Sequence, residues 1–365
     1  VFNPTAPVNE QLALYSDLFM LIAALVYAAA FILFTIDMAT ASATIRRLEA
    51  DLAAQRGQVR TAPARETVGV AVGGSTAVGA SDSDTARPAA AEPGVDADDD
   101  LVDEDMDYTG GGRRPVANVA VAVLAVGWAL HAFAVVARGL AAYRVPWGNL
   151  YEFMTTGALV ITTVYLLFLL RKDLRFVGTF VTGIVVAMMC AATMGFPTPV
   201  GHLQPPLQTP WLVIHVSIAV LASSLFALTA AMSMLQLLQD RAEKRAAAGE
   251  PTWSFLCLVP SSDSLENWSF RINAVGFVMW TFTLIAGAIW AEAAWGRYWN
   301  WDTKEVWTFV IWVVYAAYLH ARATRGWTGA RAAWLSIVGF LCIVFNYTIV
   351  NTYFPGLHSY AGLPS

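Results

Sequence analysis

The chain has 365 residues, of which 57% are hydrophobic and only 13% charged, about half the charged share of a soluble domain. That balance excludes an ordinary water-soluble enzyme, and a net charge of -5 without a basic patch excludes a nucleic-acid partner. Cys190, Cys257 and Cys342 are far apart and form no CxxC pair, so neither disulfide exchange nor a zinc clamp is encoded.

A membrane-spanning helix needs about 20 apolar residues. The first such run, at 18–36, lies in an N-terminal transmembrane helix at 1–43. Residues 44–115 then read as a disordered acidic linker. They are rich in Ala, Gly, Ser and Asp, nearly free of aromatics, and carry eight acidic residues between Asp96 and Asp107. Such a composition buries too little apolar surface to order itself.

The rest of the chain, 116–365, reads as a seven-helix membrane domain. Charge-free runs at 116–137, 153–170 and 272–291 are three of its spans. No charged residue occurs from 176 to 239, where Pro197, Pro199, Pro205, Pro206 and Pro210 divide the run into helices four and five with an irregular loop between them. A seventh span at 306–321 measures about 24 Å by helical rise, so it borrows length from the Trp-rich segment before it. The eighth covers 332–353. The expected fold is all-α, a polytopic integral membrane bundle of about eight transmembrane helices.

Of the 22 Lys and Arg residues, 18 lie in the segments after helices one, three, five and seven, Arg46, Arg114, Arg171 and Arg322 among them. By the positive-inside rule those segments, the linker included, are cytoplasmic. Both termini, the 138–152 loop, the proline loop and the 295–305 loop then face away from the cytoplasm, and the expected location is the plasma membrane.

The 295–307 loop holds Trp295, Trp299, Trp301 and Trp307 with Tyr298, interleaved with Asp302, Lys304 and Glu305. One or two Trp at an interface form an ordinary aromatic belt. Four in 13 residues, beside charged groups, instead suit a flat apolar macrocycle with polar edge substituents.

This loop resembles the WWD domain of haem-handling membrane proteins, and in detail that of the CcsA (ResC) family of system II cytochrome c biogenesis. The 287–291 segment before it, the Tyr315 to His320 stretch after it, and Pro146, Asn149, Tyr151 and Glu152 in the pattern Pro-x-x-Asn-x-Tyr-Glu are similar to the same family. Thr303 departs from it, standing where the family often has Pro, and so does the long linker.

The resemblance implies that haem b is bound in the membrane, presented at the outer face and attached covalently to the CxxCH motif of an apocytochrome c, the chain being the membrane component of a cytochrome c haem lyase. It implies as partners a CcsB (ResB)-like subunit, the apocytochrome and a thioredoxin-like reductant. A haem exporter or chaperone without synthase activity is an alternative, and a polyprenyl-dependent glycosyltransferase a more remote one.

Imidazole is the usual protein ligand of haem iron, and the chain has five histidines. By order and context the family's two external iron ligands fall on His215, in helix five, and His358, after helix eight, while its inner-site histidine falls on His320. His131, at membrane depth, is either an inner haem ligand or a neutral residue bonded to a neighbouring helix. His202, in the proline loop, reads as a solvated or hydrogen-bonding residue. Trp295, Trp299, Trp301, Trp307 and Asp302 are expected around the ring. Asp302 and Glu305 are candidates to orient the peptide or the propionates, and Arg297 or Lys304 to pair with the propionates.

Overall fold

The computed structural model describes residues 7–61, 114–354 and 356–358, and every regular element among them is helical. The helices are α1 Glu10–Thr61, α2 Pro115–Ala141, α3 Leu150–Leu169, α4 Gly178–Cys190, α5 Pro210–Ala247, α6 Ser262–Trp295, α7 Thr303–Arg325 and α8 Ala330–Phe345. Two of them widen into π-helical turns, α4 at Ala191–Gly195 and α8 at Asn346–Val350, the latter leading on to Tyr353.

Eight spans are long and apolar enough to cross a bilayer, and the chain is a multi-pass membrane protein. Helix α1 continues to Thr61, into the segment read as linker. The remainder of that linker, 62–113, lies outside the described residues, as do 1–6 and 359–365. Helix α7 reaches spanning length by growing at both ends of 306–321, capped by Asp302 at its start and by Gly326, at φ 59°, at its close.

Lipid offers no hydrophobic drive between helices, so close packing and polar contacts must hold them. The α1 and α2 pair shows how. Met20, Ala23, Tyr27, Ala30 and Phe34 are buried on α1 at alternating three- and four-residue steps. Ala117, Ala120, Leu124, Gly127, His131 and Ala134 repeat that spacing on α2, the stripe that brings two helices together at a shallow angle. Large residues of α1 meet small ones of α2: a Cβ on Gly127 would stand 3.0 Å from the Tyr27 ring.

Helix α5 lies between two packed groups, touching α3 and α4 on one side and α6 and α8 on the other. Phe226 of α5 stacks on Tyr315 of α7 at 3.7 Å. Buried polar side chains pair across helices, as membrane depth requires. Thr229 donates to Asn273 Oδ1 (2.6 Å), and Asn273 donates on to Ser336 (3.2 Å).

At the end of the bundle that carries the Trp-rich loop, one buried carboxylate organises the connections. Glu152, in the first turn of α3, accepts from Arg138 Nε at 3.0 Å, Arg144 Nη1 at 2.7 Å, Arg144 Nη2 at 2.8 Å and the Gly148 N–H at 2.7 Å. The two arginines donate onward to the carbonyls of Thr198 (2.6 Å) and Gly201 (2.7 Å) in the proline loop. A loop of Pro and Gly, 196–209, is thereby tied to α2 and α3 without secondary structure of its own beyond one short turn at Pro205–Leu207. At the other end Asp37 of α1 is paired with Arg114 and accepts from the Ala117 N–H at 3.1 Å, fixing the start of α2.

Three substitutions test this packing by denaturant or thermal unfolding in micelles. Gly127→Leu overfills the α1–α2 seam and is expected to cost about 1–3 kcal/mol, while Gly195→Ala, with no atom within 4 Å of the new methyl, leaves stability unchanged. Glu152→Gln leaves the buried Arg144 without a described carboxylate and Arg138 with Asp17 alone, and is expected to cost about 3–5 kcal/mol.

Candidate functional site

A cleft opens at this same end, bounded by the starts of α3 and α5, the end of α6, the start of α7 and the last turns of α8. Counted out to its mouth it encloses about 1200 Å³, and its walls are mostly apolar and aromatic. Walls of this kind suit a flat apolar molecule. Trp147, Trp280, Trp290, Trp295 and Trp299 face it, with Phe153 and Tyr347 stacked on each other at 4.2 Å.

Two histidines line the cleft from different parts of the chain. His215 sits one turn and a half into α5, and its Nδ1 is 3.0 Å from the Thr283 carbonyl of α6. A carbonyl can only accept, so Nδ1 carries the proton and Nε2 keeps the lone pair. The ring lies against bare backbone: a Cβ on Gly287 would come within 2.8 Å of its Cε1. Trp290 meets the ring edge-on at 5.5 Å and donates its indole N–H to Pro206 O at 3.2 Å, closing the proline loop over this wall.

His358 arrives from beyond α8. Its Nδ1 faces Asp302 Oδ2 at 3.5 Å, within ion-pair range but longer than a hydrogen bond, and Trp295 meets its ring edge-on at 4.9 Å. Asp302 also accepts from the Leu357 N–H (2.9 Å), which anchors the segment bearing His358. The neighbouring His358 imidazole, with the backbone N–H groups of Lys304 and Leu357, outweighs burial and holds the Asp302 carboxyl down at about 2. It is therefore ionised at any physiological pH. A carbonyl or carboxylate bonded to one ring nitrogen prepares the other for a metal; His215 has such a bond, and His358 has a carboxylate within ion-pair range.

The acidic residues of the loop prove to be local builders. Asp302 Oδ1 accepts from the Lys304 N–H (2.9 Å), and Glu305 Oε2 from the N–H groups of Asn300 (2.8 Å) and Asp302 (3.2 Å). Together they form the capping box that starts α7. Trp301 just before it has φ 59°, a left-handed conformation that costs a bulky residue roughly 1–2 kcal/mol. The turn reverses the chain into the helix.

The remaining expected residues are spread more widely. Trp301 is 76% exposed and supports Trp299 edge-on at 5.9 Å, outside the cleft lining. Trp307 packs on Phe345 of α8, also outside it. His202 is exposed on the proline loop. His131 is fully buried between α1 and α2 with Nδ1 at 3.2 Å from Tyr27 Oη, away from the cleft, and its Nε2 has no protein partner. His320 is exposed near the far end of α7, and the structure does not bring it together with His131.

Several wall residues were not singled out from the sequence. Trp147 sits inside the quoted 146–152 motif, which was the signal for it. Tyr347 and Asn351 lie in the run after α8, where nothing in an apolar segment marks which side faces a cleft.

The profile of the family described as "Cytochrome C assembly protein" matches residues 147–358, which takes in Trp147, both cleft histidines and the Trp-rich loop. The chain is 35% identical over 235 residues to "Cytochrome c biogenesis protein CcsA" of Guillardia theta, covering 60% of this chain and 77% of that protein. To the protein of that name from Synechococcus sp. (strain CC9902) it is 35% identical over 235 residues, covering 59% and 77%. To that of Porphyra purpurea it is 34% identical over 254 residues, covering 60% and 79%. The chain belongs to the cytochrome c assembly protein family, among the relatives of CcsA.

Proposed function

We propose that this protein acts in cytochrome c maturation by holding haem b in the cleft, iron between Nε2 of His215 and Nε2 of His358, and presenting it to an apocytochrome c. The observation that carries the reading is the matched pair of histidines. Each has an acceptor beside Nδ1, and both line one indole-walled cleft. Two imidazoles are too few donors for a bare ion but suit an iron already ringed by four porphyrin nitrogens.

The share of the chemistry assigned to this chain is placement. Each thiol of a CxxCH segment adds across one vinyl group, the sulfur bonding to one vinyl carbon and its proton passing to the other, with no net change in oxidation. A thioredoxin-like reductant keeps the thiols free. Holding the vinyls still is worth several kcal/mol of activation entropy, while the reactivity belongs to the haem. The peptide's own histidine then replaces one of the two protein ligands.

The cleft end belongs on the extracytoplasmic side, supported by the concentration of Lys and Arg at the opposite connections. Haem from the cytoplasm first meets His320. Because that side chain is exposed on α7, its partner ligand comes from outside this chain, from a CcsB (ResB)-like subunit. His131 is assigned no iron here, since its place in the α1–α2 seam puts it apart from both histidine-bearing surfaces.

Purified from haem-replete cells, the protein should show a six-coordinate low-spin haem spectrum. His215→Gly or His358→Gly should reduce cytochrome c assembly to background, with partial recovery on added imidazole, and normal maturation by both variants without imidazole rules the ligand pair out. Asp302→Asn keeps a competent helix cap but removes the charge behind His358. It is expected to weaken haem binding about 10–100-fold, read by haem titration, with thermal stability near that of the parent.

A further inference from the structure

Besides two tyrosines, four ionisable side chains line the cleft: His215, His358, Glu305 and Lys304. The first two are accounted for above. Glu305 is committed to the backbone N–H groups of the loop, and its second oxygen lies 3.9 Å from Arg297. Lys304 is the one that stands apart.

Its ammonium touches only neutral groups. Nζ donates to Asn346 O at 3.2 Å and to Asn351 Oδ1 at 3.3 Å, and lies 4.7 Å from the centre of the Tyr347 ring. No described carboxylate stands within ion-pair distance of it, Asp302 being turned to the α7 backbone, Leu357 and His358. A half-buried lysine without a counter-charge carries a cost, and three features nevertheless hold this one in place. It follows the capped first residue of α7. The carbonyl it meets is that of Asn346, the first residue of the π-helical turn of α8, where the wider turn frees a backbone acceptor. Asn351 supplies a second acceptor one turn on.

An ammonium offers three donors, and two of them are occupied by bonds long enough to yield. The first-turn position adds the positive end of the α7 dipole. Arg297, the other basic residue near the loop, is spent differently, lying over Trp295 at 5.9 Å and beside Glu305.

We propose that Lys304 is the specificity residue of the cleft, recognising an ionised carboxylate on the edge of the bound macrocycle, a propionate in the case of haem. The cleft thereby selects for tetrapyrroles that carry acidic edge groups, and it fixes how the ring is turned in its own plane, which decides where the vinyl edge points. This inference rests on the haem reading above.

The test titrates haem and haem dimethyl ester, which lacks ionisable propionates, into the full-length protein purified in micelles from haem-depleted cells. It compares the parent with Lys304→Met and Lys304→Arg and reads affinity and ligation state from the absorbance spectrum. The parent should bind haem about tenfold or more tightly than the ester, the gain of one charge-assisted bond in a partly dry site. Lys304→Met should bind haem no better than ester while keeping the six-coordinate spectrum, and Lys304→Arg should retain the preference. Equal affinity of the parent for haem and ester overturns the proposal, as does a Lys304→Met variant that loses both ligands equally or keeps the preference. A parent that gives a six-coordinate spectrum with neither porphyrin overturns the haem reading itself, a different outcome from loss of selectivity alone.

Discussion

The carboxylate of Asp302 is the point on which the cleft depends. One oxygen starts α7 by accepting from the Lys304 N–H, and the other accepts from Leu357 and faces His358. The Trp-rich loop with the first turn of the spanning helix that follows it, and the chain beyond α8 some 55 residues on, are thus referred to one small group. The side chains that follow inherit their places from it. Lys304 is two residues along, Glu305 closes the capping box, and Trp295 rests against the histidine that faces Asp302. At 8% side-chain exposure the carboxylate is shielded from water, where such an interaction is worth more than at an open surface.

A second carboxylate does the corresponding work on the facing wall. Glu152 gathers two arginines and the start of α3, and through the arginines it reaches the proline loop. The apolar middle of the bundle needs little more than small residues against large ones, as in the α1–α2 seam. Irregular backbone is tolerated at membrane depth only where it is satisfied, and at the cleft end Glu152 and the two arginines satisfy it. At that end Asp302 and Glu305 both build the loop and stand at the candidate site, with the helices serving to hold their ends in register.

Much of this was legible in the sequence. The eight spans follow from runs of apolar residues and from proline placement, because a bilayer imposes a length that composition reports directly. His215 and His358 were reached through a resemblance carried by motifs, and the structure puts both on one cleft. What the sequence hid was direction. A Trp is equally apolar whichever way it points, so Trp299 facing the cleft could not be told from Trp301 outside it or Trp307 against Phe345. The roles of Asp302 and Glu305 as helix-capping groups were written in an Asp-x-x-Glu spacing, but the aromatic context drew attention to ligand contacts instead. The choice between Arg297 and Lys304 turned on which carboxylates were already engaged, a matter of packing that no local pattern reports. The exposure of His320 likewise depends on which face of α7 the neighbouring helices leave uncovered.

The central claim is that two imidazoles, each steadied through its other nitrogen, grip one iron porphyrin inside this cleft. An experimental structure of the haem-loaded protein tests it most directly. The account predicts iron bonded to Nε2 of both His215 and His358, with the ring lying among Trp295, Trp299 and Trp290. Haem iron bonded instead to His131 or His202, or a porphyrin seated outside the cleft while these two side chains keep only protein contacts, would contradict it.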